Sequence, residues 1–176
     1  MSIPVVVSRQ VFDQALNSAK EVDRRRELEG LAAPLDATLR GRVEEAWGAI
    51  ESALRDGFQF GKAKAQSVLE AAIGKVEQLV AGAGSRAADL QDALLARMQA
   101  FVHSFIQGAL ARVPTAIKVG GSSYTLTNVK YTQKLLVSGA IKTNLIELFS
   151  LASSGEIEIV ADYSAGPETP VVSGSG

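Results

Sequence analysis

The sequence predicts a mainly α-helical protein, an elongated helical hairpin or three-helix bundle followed by a small ββαβ unit. Three observations point there. Apolar residues recur at intervals of three and four from Phe12 to Leu110, and after Pro114 that spacing gives way to alternation. Aromatics are scarce at 6%, while alanine and glycine fill much of the apolar 47%. Helical spacing lays down one apolar stripe and alternation one apolar strand face, and small side chains favour close contact between helices. The 176 residues suffice for one domain with a sizeable core, or for a helical body with a small appendage.

Residues 1–7 read as an extended start, with Pro4 followed by three valines. Ser8 is an N-cap, Phe12, Leu16 and Ala19 follow at helical spacing, and Gly30 stops the helix. Residues 31–35, with Pro34 among them, form a connection. Asp36 or Thr38 opens the longest periodic stretch, which runs through Leu39, Val43, Trp47, Ile50, Leu54, Phe58, Ala65, Leu69, Val76 and Val80. Unbroken from 36 to 80, it would be about 68 Å long at the α-helical rise, more than the diameter of a domain this size. The stretch is therefore either kinked or part of an elongated rod, and the expected place for a bend is Gly57-Phe58-Gln59-Phe60-Gly61, where two glycines weaken the helix.

Ala81-Gly82-Ala83-Gly84 ends the stretch, Ser85 caps a further helix, and Pro114 closes it. Such a short link between long amphipathic helices implies an antiparallel hairpin, with helix 8–28 as a third member. The helical body thus covers 8–113. Residues 116–119 and 124–129 alternate around Gly120-Gly121-Ser122-Ser123 and read as a β-hairpin. Leu135, Leu136, Ile141, Leu145, Ile146 and Phe149 return to helical spacing, divided at Gly139, and 156–160 alternates as a half-exposed strand. Residues 115–163 thus form the ββαβ unit. Three short strands make a marginal sheet, which must lean on the helices or accept a strand from a neighbouring chain. The tail 164–176, rich in glycine, serine and proline, is expected to be disordered.

Charge excludes one class of partner. Basic and acidic residues number 8 and 10 in positions 1–60, 6 and 4 in 61–113, and 4 and 4 in 114–163. No segment has the basic surplus that phosphate neutralisation needs, so nucleic acid is not an expected partner. Arg24-Arg25-Arg26 is offset by Glu21, Asp23, Glu27 and Glu29 and reads as a solvated helix face. The absence of cysteine excludes disulfides and thiolate chemistry. No signal peptide is evident and no window approaches ~18 uninterrupted apolar residues, so a cytoplasmic protein is expected.

The catalytic motifs fail one by one. Gly82-Ala83-Gly84-Ser85-Arg86-Ala87 has the spacing of a dinucleotide loop but follows a helix rather than a strand, and no acidic residue lies between Asp92 and Glu147. Gly57-Phe58-Gln59-Phe60-Gly61-Lys62 is one residue short of a phosphate loop and lacks the hydroxyl residue after its lysine. Gly57 and Gly61 are better read as a place where another helix comes close. His103, the single histidine, has no carboxylate near it in sequence and reads as a partly buried or interfacial structural residue. Ser122 and Ser123 are turn residues. Glu156 and Glu158 fall on the wet side of a strand about 7 Å apart and read as edge protection. No cofactor and no metal are expected, and no enzyme.

Helix 86–113 carries the anomaly. Leu94, Leu95, Met98, Phe101, Val102, Phe105, Ile106 and Leu110 make a stripe wider than a two-helix hairpin can cover, and no acidic residue follows Asp92 before Pro114. Either neighbours of its own chain enclose this helix, or it docks elsewhere. The expectation is a structural or adaptor subunit that self-associates, or docks on a protein partner, through Leu94, Met98, Phe101, Val102, Phe105 and Ile106, with Gly57 and Gly61 as close-approach points. A peripheral, lipid-surface-binding amphipathic helix is the alternative, weakened by the sparse positive charge.

Overall fold

A computed structural model describes residues 1–132, 140–153, 156–165 and 171–175. Expectations for Leu135, Leu136 and Gly139 lie outside the described residues, as do the side chains of Glu156 and Glu158. The protein is mainly α-helical with a small sheet, the architecture that the switch of period after Pro114 predicts.

β1 (Ser2–Val6) precedes α1 (Arg9–Leu28). Ser8 caps α1 by accepting a hydrogen bond from the Val11 N–H, and Val11, Phe12, Ala15, Leu16, Ala19 and Val22 form the buried stripe. The helix ends in a Schellman motif. Gly30 sits at φ +73°, its N–H donates to the Glu27 carbonyl at 3.2 Å, and the Leu31 N–H donates to the Arg26 carbonyl at 2.8 Å. Asp36, rather than Thr38, caps α2 (Ala37–Phe60), accepting from the Leu39 N–H at 2.8 Å.

The expected bend is a full reversal. Gly61 takes φ +89° and ψ 165°, a conformation essentially closed to side-chain-bearing residues, and α3 (Lys62–Gly82) starts immediately after it. α2 and α3 then run back along each other: Lys75 pairs with Glu45 at 2.6 Å and Arg42 donates to the Leu79 carbonyl at 3.4 Å. No 68 Å rod exists. A 3₁₀ turn at Gly84–Arg86 leads into α4 (Ala87–Leu110), so Ser85 lies within that turn and is not the helix cap. The expected hairpin between the long stretch and the last helix is also corrected. α2 pairs chiefly with α3, and α4 with α1, antiparallel, with contacts from Gly108 against Val11 to Arg26 with Asp92.

β2 (Ala116–Val119) and β3 (Ser122–Thr132) form the expected hairpin. Its turn is Gly120-Gly121 alone, both at positive φ as a two-residue turn matched to strand twist requires. Ser122 and Ser123 therefore belong to β3 rather than to the turn. α5 (Ile141–Ser153) and β4 (Glu156–Ser164) complete the ββαβ unit, and the sheet order is β1-β4-β3-β2. The tail is not wholly irregular: β5 (Val171–Ser175) pairs parallel with Asn128–Thr132 of β3, beyond the part of that strand taken by β2. The marginal three-strand sheet thus gains both further strands from its own chain.

Proline chemistry removes one donor from the outer edge of β1. Met1 and Tyr163 exchange two backbone hydrogen bonds of 2.8 Å. Antiparallel pairs alternate between bonded and non-bonded, so Pro4, opposite Val160, turns its nitrogen outward. That nitrogen has no hydrogen to offer an incoming strand.

Helices and sheet share one continuous core. At its centre Phe12 stacks on Phe58 at 4.4 Å and meets Phe101 and Phe105 edge-on at 5.8 and 6.4 Å. Four of the ten aromatics thus meet in one cluster, and Ala15, Ala19, Ala46 and Ala109 are buried on the helices, where their small side chains leave room for close packing. Tyr163 fastens the sheet to the end of α4 by donating its hydroxyl to the Pro114 carbonyl at 2.8 Å, and burial raises its phenol pKa.

Candidate functional site

Leu94, Met98, Phe101, Val102, Phe105 and Ile106 are all buried within the single chain. This corrects the expectation that the stripe of α4 is too broad for its own fold to hide. The sequence suggests a two- or three-helix body, but α1, α2, α3 and α5 all touch α4, so the stripe faces neighbours nearly all round. Phe101 and Phe105 stack on each other at 5.4 Å inside the core, where they cannot meet a lipid surface.

The two glycines have separate structural roles. A Cβ on Gly57 would lie 2.7 Å from Phe149 Cε2 and 3.1 Å from Ser153 Cβ, so Gly57 is where α5 comes close, as the spacing suggests. Gly61 has nothing within 4 Å of that position and serves the reversal instead. α1 and α4 also come close at a glycine the sequence does not single out. A Cβ on Gly108 would meet Val11 Cγ1 at 2.9 Å.

The one charge on the inner side of α4 is held by three elements. Arg97 is 2% exposed; it donates from Nε and Nη2 to Asp23 of α1 at 3.1 and 2.6 Å, donates to Glu44 of α2, and lies 5.8 Å from the centre of the Trp47 ring. Burial works to lower its pKa, and the hydrogen bonds it donates to Asp23 and Glu44 outweigh that and raise it. The cluster pins α1, α2 and α4 together.

With the apolar side turned inward, the outer side of α4 is Ala96, Gln99, Ala100, His103, Ser104 and Gln107, and none carries a carboxylate, ammonium or guanidinium. His103 is exposed here, not partly buried. Opposite it on α1 stand Gln14 and Ser18, whose hydroxyl meets that of Ser104 at 3.2 Å. Between the two helices lies an open groove of about 720 Å³ that follows α4 from Asp92 to Gly108, about 24 Å at the helical rise. Leu31, 66% exposed, closes one end beside Arg25, Arg26 and Glu29. The signal for this surface is present in the sequence as the gap in acidic residues after Asp92.

Among the described residues no group of three or more His, Asp or Glu side chains could hold a metal ion, and no helix is long and apolar enough to cross a membrane. No family model, no curated protein and no solved structure matches the chain.

Proposed function

We propose that the protein is a non-enzymatic structural or adaptor subunit of the cytoplasm that docks onto protein through the outer face of α1 and α4. The observation that carries this role is the uncharged stripe Ala96, Gln99, Ala100, His103 and Gln107 beside a groove the length of a helix. Charged side chains make up 21% of the chain, so a helix face free of them over three turns is unusual for a surface that meets only water. Depletion of charge with polar rims is the composition of contact surfaces, and a long groove between two helices suits a partner helix. The ends of the groove supply the rim: Arg26 with Asp92 at 2.7 Å, and Arg25 and Glu29 beside them.

The test is affinity capture from the protein's own cells with the wild-type chain and with Gln99→Glu/His103→Glu. Both substitutions fall on exposed positions and are expected to leave the circular dichroism spectrum unchanged. The docking role requires a protein retained by the wild type and lost from the variant. An identical retained set on both would refute it.

A further inference from the structure

We infer that the Arg97 cluster holds an internal water molecule, bonded to both Arg97 and Trp47. Two donors carry the inference. Arg97 Nη1 and the indole Nε1 of Trp47 are shut off from solvent, and neither donates to an atom of the described residues. Their side chains are 2% and 1% exposed. An N–H buried without an acceptor is expensive, and native interiors supply one from the protein or from ordered water.

The planar guanidinium explains which donors are left over. Its Nε and Nη2 share the edge that faces Asp23, Nη2 also donates to Glu44, and Nη1 is the remaining corner. The guanidinium carbon lies 5.8 Å from the centre of the Trp47 ring, and Glu44 stands one helical turn before Trp47 on α2. The two free donors therefore belong to one small region between α2 and α4, beside two carboxylates. Each carboxylate keeps one oxygen, Asp23 Oδ1 and Glu44 Oε2, outside its bonds to Arg97.

That set of groups selects water. The N–H groups ask for an acceptor and the carboxylate oxygens for a donor, and one molecule that does both answers them. Internal waters make about three hydrogen bonds, which this set can supply. A metal cation would face two N–H donors. An anion would join a site where two carboxylates already outnumber one guanidinium. Glu44 is 57% exposed and links the site to bulk solvent, so the water exchanges without unfolding of the protein. The pin that joins α1, α2 and α4 thus includes a solvent molecule.

Trp47 is the only tryptophan, so its indole proton gives a single, unambiguous nuclear magnetic resonance signal. In the wild-type chain that proton shows cross-relaxation with water, of the sign that a long-lived bound molecule gives, and Arg97→Met loses the signal. A crystal structure finds one water oxygen within about 3.2 Å of both nitrogens. Absence of the cross-peak from the wild type overturns the inference, as does a crystal structure in which Nη1 and Nε1 donate to protein oxygens. A cross-peak equally strong in Arg97→Met removes the bridge and overturns it too. Titration with bromide separates water from an anion: the indole resonance stays in place for water, and a saturable shift overturns the assignment. Should Arg97→Met fail to fold, the wild-type cross-peak and the crystal structure decide by themselves.

Discussion

Arg97 of α4 donates two hydrogen bonds to one carboxylate oxygen of Asp23 on α1, from a side chain almost fully shielded from water. The two partners are not equally buried: the side chain of Asp23 is 17% exposed and that of Glu44 is 57% exposed. Removing Arg97 leaves carboxylates that water can reach, whereas removing Asp23 leaves a shielded guanidinium short of its main acceptor. Arg97→Met is therefore expected to cost about 1 kcal/mol and Asp23→Ala about 3 kcal/mol, since an uncompensated buried charge is the more expensive defect. Urea denaturation of the two variants measures both. Equal losses would show that the pair acts symmetrically.

Gly57→Ala and Gly61→Ala lose stability by different routes. The first forces a methyl against Phe149 and Ser153, an overpacking expected to cost about 1–3 kcal/mol. The second strains the backbone at φ +89° with open space around it, expected at about 1–3 kcal/mol as well. Phe149→Leu makes room for the first and does nothing for the second. A double-mutant cycle should find favourable coupling of Phe149→Leu with Gly57→Ala and none with Gly61→Ala.

Phe101→Ala and Phe105→Ala are expected to destabilise the fold by about 3–5 kcal/mol each, as truncations of large core aromatics do. A serine at either position adds a hydroxyl without a partner among aromatic rings. Thermal unfolding decides the point. Variants that keep the wild-type midpoint would return these rings to the surface.

The acid limb of stability has a contribution from Asp36. The Leu39 N–H, then the Arg86 guanidinium, hold its carboxyl below the usual 3.8, in spite of some desolvation. A pKa lowered by folding favours the folded state above the unfolded value, and that advantage disappears as the pH falls through the folded value. Asp36→Asn keeps a capping side chain but no charge. The wild type should melt above this variant at about pH 6, and the two should converge well below pH 3.8. A gap independent of pH would assign the effect to the cap alone.

Local signals are legible at several helix ends, although Ser85 falls inside a 3₁₀ turn rather than capping α4. Ser8, Gly30 and Asp36 mark helix ends through caps that depend on their own side chain or backbone freedom, and the Gly57–Gly61 segment marks the break in the long stretch. Which helix then lies on which is not local. A single glycine at positive φ turns a bend into a reversal, so α2 takes α3 as its partner and leaves α4 to α1. β5 is hidden in a composition of small and polar residues because backbone pairing to β3, rather than its side chains, places it there. The breadth of the α4 stripe is plain in the sequence, but a stripe is broad only relative to the number of neighbours. The same acidic gap that reads as excess grease marks, once the inner side is known, an uncharged outer side.

The division of α4 into an inner side that holds the fold and an outer side that binds is tested most directly by two adjacent charge insertions. Met98 is fully buried and Gln99 exposed. Measured together for melting temperature and for association, Met98→Glu should fail to fold, while Gln99→Glu should melt as the wild type does and lose its partner. A Gln99→Glu protein that melts normally and associates with undiminished affinity would contradict the account.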